Sequence, residues 1–204
     1  MVNKMPASTA RALPVSKVHP DFQRAVRLLE RGQAGQALVL ADSLIKSSDE
    51  MSRLDGYMSR GMVFEDGGVD VEIDLERSLD SYRRASLIVP DAVTFLNLAR
   101  VSLKQRNFAV ALKFLEISAE YEVLPETLLG FGAYYEAVVP MDGEAAKSHF
   151  MKAAMKWRFA GFFGYSRVAR AMGQPVRAFL MDCLRIAAGP WIALAVGTRA
   201  RFPF

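Results

Sequence analysis

The sequence predicts an all-α protein, an α-solenoid of antiparallel helical hairpins, and three observations carry that expectation. Ala, Leu, Arg, Glu, Lys and Met dominate the interior, with apolar residues at three- and four-residue spacings. Turn residues interrupt the chain at short intervals, and one helical pattern recurs at an offset close to a repeat length. No run of strictly alternating polar and apolar residues argues for a strand.

The predicted breaks lie at Gly32, Gly67-Gly68, Val89-Pro90, Gln105 to Asn107, Pro125, Pro140, Gly161, Gly173 to Pro175 and Gly189-Pro190. Each interval allows three or four helical turns and a tight connection. Between Asp74 and Leu87, Leu75, Leu79, Tyr82 and Ser86 share a stripe that leaves Asp80, Arg83 and Arg84 outside. Between residues 108 and 119, Phe108, Ala111, Leu112, Leu115 and Ala119 form the same kind of stripe.

Three segments superpose as repeats, led by Asp74, Asn107 and Asp142. Each leading Asp or Asn is followed by a small residue at +4 (Ser78, Ala111, Ala146) and a large apolar one at +8 (Tyr82, Leu115, Phe150). Two small residues close each segment at +11 and +12. The leading side chain caps the helix by accepting backbone N–H bonds. The small residues admit a neighbouring helix, and the large one fills the space between hairpins. An earlier segment from Gln33 fits less well and lacks the bulky +8 residue.

These residues resemble the Sel-like subtype of the tetratricopeptide helical repeats. Gly61 to Phe64 and Gly67-Gly68-Val69 are similar to the first half of that unit, and Asp74, Ser78, Tyr82, Ala85 and Ser86 to the second. Phe131-Gly132 with Tyr135, then Asp142, Ala146, Phe150, Ala153 and Ala154, is similar to a later unit. The resemblance covers roughly residues 53–173, with degraded units on both sides, and leaves three to five hairpins. It implies a right-handed superhelix whose inner groove grips a partner protein through the first helix of each hairpin. By that implication Asn97, Arg100, Tyr134, Tyr135 and Arg167 are the candidate partner-binding residues; ordinary interhelical packing is the competing role for each. The family also implies adaptor work, including accessory roles in biosynthetic or secretion complexes.

Composition bounds the rest. A chain 51% hydrophobic and 24% charged is not disordered throughout, and its 204 residues suit one domain. A single cysteine forms no internal disulfide, which favours the cytoplasm. The net charge of +4 is unevenly distributed. Residues 1–35 hold six basic and two acidic residues, residues 36–146 ten and nineteen, and residues 147–204 ten and one, the acid being Asp182. The basic last third is either a solvated face over an aromatic core or a surface for an acidic protein, an anionic membrane or an acidic glycan. No nucleic-acid-binding motif accompanies it, so nucleic acid is not an expected partner.

The expected organisation is a flexible leader over 1–19, a solenoid over 20–189 and an apolar, basic tail over 190–204. The leader lacks the apolar core of a signal peptide. The apolar run from Ile186 to Gly197 is twelve residues long, too short to span a bilayer. Its first reading is a last helix packed on the core. The alternative is a membrane-peripheral segment anchored by Trp191 and Phe202, with Arg199 and Arg201 facing lipid headgroups.

No catalytic constellation emerges, and neither an enzyme, a cofactor nor a metal is expected. His19 reads as a helix entry and His149 as a partly exposed helix residue; neither CxxC nor HExxH occurs. Cys183 reads as a buried structural thiol with no Cys–His pattern around it. The carboxylate pairs Asp49-Glu50, Glu65-Asp66 and Asp70-Glu72 read as solvated helix caps.

Overall fold

A computed structural model describes residues 19–196. Among the described residues there are ten α-helices and no strand: α1 (Pro20–Glu30), α2 (Ala34–Ile45), α3 (Glu50–Asp66), α4 (Leu75–Ile88), α5 (Ala92–Lys104), α6 (Phe108–Tyr121), α7 (Pro125–Ala137), α8 (Gly143–Met155), α9 (Phe159–Ala171) and α10 (Pro175–Val196). Each helix packs on the next in chain order, and α7 also touches both α5 and α9. The result is five successive hairpins, each burying its apolar face against its neighbours.

The capping residues read from the sequence do cap. Asp74 accepts the Arg77 N–H at 2.9 Å, Asn107 that of Val110 at 3.4 Å and Asp142 that of Ala145 at 3.0 Å. His19 opens α1, its Nδ1 accepting the Asp21 N–H. Four tight connections share one device, a left-handed residue just before the helix. Glycine takes that place at 32 and 173, whereas Arg106 (φ 59°) and Trp157 (φ 64°) adopt it with a side chain attached.

The +4 and +8 positions form the interior: Ser78, Ala111 and Ala146 are buried, as are Tyr82, Leu115 and Phe150. The bulky residues fit because glycine faces them. A Cβ on Gly132 or Gly164 would stand 2.7 or 2.4 Å from ring carbons of Phe150. Phe150 is therefore clasped between α7 of its own hairpin and α9 of the next.

Two predicted breaks fall inside helices. Gly161 lies in the first turn of α9, where its missing Cβ lets α9 approach the backbone of Phe150 and Ala154 on α8. The turn that precedes it is built by Lys156 to Arg158 instead. Gly189 and Pro190 lie within α10, so the helix runs through residue 190, where the solenoid was expected to end.

Candidate binding face

The first helix of each hairpin carries the five residues that the repeat resemblance singled out, and the structure divides them. Asn97 on α5 is turned inward, 7% exposed, with its Nδ2 3.9 Å from the Met58 sulfur on α3. Arg100, one turn later, is engaged with Glu65. Both side chains thus meet α3, which is the interhelical packing that competes with a groove role for them.

Glu65 was expected in a solvated cap, and it is the most enclosed carboxylate of the described residues, its side chain 1% exposed. Arg100 donates to both of its oxygens, from Nε at 2.7 Å and Nη2 at 2.6 Å. Lys104 Nζ stands 2.9 Å from Oε1, and the Tyr82 hydroxyl donates to Oε2 at 3.1 Å. Burial pushes the carboxyl up, but the hydrogen bonds and charges of Arg100 and Lys104 outweigh it and hold the group below its ordinary value. Tyr82 moves the other way, far above the usual phenol range, through burial and then the adjacent Glu65 charge. The cluster joins three helices, α3, α4 and α5. Its sequence signal is the 35-residue separation of Glu65 from Arg100, about one repeat, with Lys104 one turn further on.

Tyr134, Tyr135 and Arg167 sit on α7 and α9. Tyr134 stands edge-on to Tyr135 at 5.1 Å and to Phe108 at 6.5 Å. Tyr135 stacks on His149 at 5.5 Å, and Phe131 stacks on the same imidazole at 5.0 Å. Burial, then the Lys152 charge, pushes His149 below its ordinary value, which disfavours its protonated form. Beside this cluster a cleft of about 300 Å³ opens between α7 and α9, floored by Leu129, Ala133, Phe150, Ala160 and Gly164. Phe163 and Arg167 form its α9 side. Arg167 is exposed and holds Glu136 on α7 by two bonds of 2.5 Å. The cleft thus has an apolar floor and a charged rim, which suits an apolar side chain carried on a polar segment.

Four of the ten basic residues of 147–204 are paired with acids within the fold. Arg158 pairs with Glu126, Arg167 with Glu136, Arg170 with Asp182, and Lys147 with Glu144 at 2.9 Å. Three of these pairs, all but Arg170–Asp182, join the basic last third to the acidic middle of the chain. The exposed pairs add little stability, but all four leave fewer cations for an acidic partner.

Cys183 is exposed on α10, correcting the expectation of a buried thiol. Of the tail candidates, Trp191 falls on the α10 backbone, while Arg199, Arg201 and Phe202 lie outside the described residues. Among the described residues, no group of His, Cys, Asp and Glu could hold a metal, and no helix is long and apolar enough to cross a membrane.

Five hairpins stacked in this way have counterparts among solved structures. The fold resembles that of MamA. A crystal structure of MamA superposes with a TM-score of 0.60 at 11% identity, covering 83% of this chain and 96% of that one. A MamA RS-1 double mutant gives 0.60 at 14% identity, covering 85% of this chain and 97% of its own. MamA from residue 41 onward, from Desulfovibrio magneticus RS-1, gives 0.60 at 12% identity, covering 85% and 98%. MamA is a tetratricopeptide-like helical-repeat protein, and at these identities the likeness to MamA is one of fold. No protein-family model and no curated protein matches the chain.

Proposed function

We propose that this protein is a non-enzymatic helical-repeat scaffold that binds a segment of a partner protein at the cleft between α7 and α9. The observation that carries the reading is the cleft itself, an apolar floor framed by Phe163 and the Arg167–Glu136 pair. Tyr134 and Tyr135 of α7 do not line the cleft; they pack on Phe108 and His149 and offer a second aromatic area on the same helix. Within the tetratricopeptide-like fold, the Sel-like subtype is the assignment supported by Gly61 against Tyr82 and Gly132 against Phe150, since both pairs occupy that subtype's glycine and aromatic places. A lone exposed thiol with no second cysteine to pair with suits the cytoplasm. Attachment to a membrane, the second expectation from the sequence, concerns a different surface, that of α10.

The test is site-specific photocrosslinking in the native cells. A crosslinker in place of Phe163 should capture a discrete partner, and one in place of Lys113 on α6 should not. Ala133→Arg, which fills the cleft from α7, should abolish the capture from position 163. Identical products from positions 163 and 113, or capture indifferent to Ala133→Arg, would show that the cleft is not the binding face.

A further inference from the structure

The last helix is apolar where each of its counterparts carries at least one charge. Counted from the residue before each helix, positions +2, +6, +9 and +10 face away from the preceding hairpins. In α4 these are Glu76, Asp80, Arg83 and Arg84, all exposed. In α8 they are Glu144, Ser148, Met151 and Lys152, three of them exposed. In α10, counted from Gln174, they are Val176, Leu180, Cys183 and Leu184. Val176 is 70% exposed, Leu180 56% and Leu184 55%, and Phe179 and Ile186 beside them are 65% and 70% exposed.

The charges of α10 are turned the other way. Asp182 pairs with Arg170 on α9, and the Arg185 guanidinium lies 3.9 Å over the Phe163 ring. Ala178 and Met181 bury the same inner side. Arg177, exposed near the start of the helix, is the one ionised side chain left at the margin of the outer face among the described residues of α10. A contiguous apolar face of this kind marks a docking surface. The sequence after the helix, Gly197 to Phe204, adds Arg199 and Arg201, two phenylalanines and no acid.

We propose that the outer face of α10 docks the protein on an anionic lipid surface, the helix lying in the headgroup plane with Arg177 near its first turn and a basic, acid-free sequence following it. Twenty-two helical residues span about 33 Å. That length lies flat as an interfacial helix with its apolar side toward the acyl chains. Charge selects this occupant over a second copy of the chain. Two α10 faces set against each other would bring basic residues together with no outward acid on either helix, whereas anionic headgroups supply the countercharge. The proposal is independent of the α7–α9 cleft, so either can fail alone.

Co-sedimentation of the full-length protein with vesicles tests it. Binding is expected to mixed phosphatidylglycerol–phosphatidylcholine vesicles, weakened by salt and absent from phosphatidylcholine alone. Leu180→Glu with Leu184→Glu, at exposed positions, should lower the partition coefficient at least about tenfold with the circular dichroism spectrum unchanged. Arg177→Glu should lower it a few-fold. No binding to the anionic vesicles at low salt, or binding that the double substitution leaves intact, overturns the proposal. So does a dimer in sedimentation velocity that the double substitution dissociates while vesicles go unbound, which would assign the face to a second copy.

Discussion

The α3–α5 contact and the α7–α9 contact occupy equivalent places in the stack, but their interiors are held by opposite chemistry. Each carries an Arg–Glu pair, buried in Arg100–Glu65 and at the exposed rim in Arg167–Glu136. At the first, Tyr82 fills the +8 position and offers its hydroxyl to a buried Glu65 that is also bound by Arg100 and Lys104. At the second, Phe150 fills the same position with no polar atom, clasped by Gly132 and Gly164. A repeat thus fixes where a large residue must stand and leaves open what holds it. The charged junction is directional and demanding, since removing one member strands the others. The aromatic junction is tolerant, since its energy is spread over many small contacts.

Glu65→Ala breaks the comparison most sharply. It removes the buried carboxylate that Arg100, Lys104 and the Tyr82 hydroxyl share and should cost about 4 kcal/mol of unfolding free energy. Replacing Glu65, Arg100 and Tyr82 together by Leu, Met and Phe should recover most of that loss in urea denaturation. Failure of the triple variant to recover would mean that the cluster specifies the packing of α3 on α5 beyond its ionic balance.

Acid separates the two junctions next. The folded-state Glu65 carboxyl sits below its ordinary value of 4.5, so its contribution is fully present above that value and is lost as pH falls through the lower folded value. In acid, hydrogen exchange should accelerate in α3 and α5 before α7 and α9, and Glu65→Ala should flatten the stability profile in that window. Phe150→Leu has the smallest effect. It should cost about 1.5 kcal/mol and leave the acid profile of the parent unchanged.

The aromatic junction was legible in the sequence and the charged one was not. Asp142, Ala146, Phe150 and Ala153 follow a register that local propensity, capping and residue size enforce, so the pattern survives without knowledge of the partner helix. Glu65 shows no such pattern. It reads as an acid near a helix end, and its burial depends on α5 crossing over it with Arg100 and Lys104, a relation between residues 35 apart. Arg100 shows why the string alone could not divide the candidates, because charge on the first helix of a hairpin meets either a ligand or a neighbouring hairpin, and here it meets Glu65 of α3. Arg167 was singled out as a residue of a hairpin's first helix, but the cleft it borders is lined from α7, α8 and α9 together and was invisible in the string. Gly189-Pro190 misled in the opposite sense, since the propensity to break a helix yields where the helix already has packing on one side.

The ion pairs between the acidic middle and the basic last third have a consequence for the chain when it is not folded. Residues 36–146 and 147–204 are oppositely charged blocks, and a denatured polyampholyte with such blocks contracts as they attract. The two halves of this protein therefore sample each other before any hairpin has formed. Added salt, which barely touches the buried Glu65 cluster, expands that ensemble through screening and so alters the state from which folding begins.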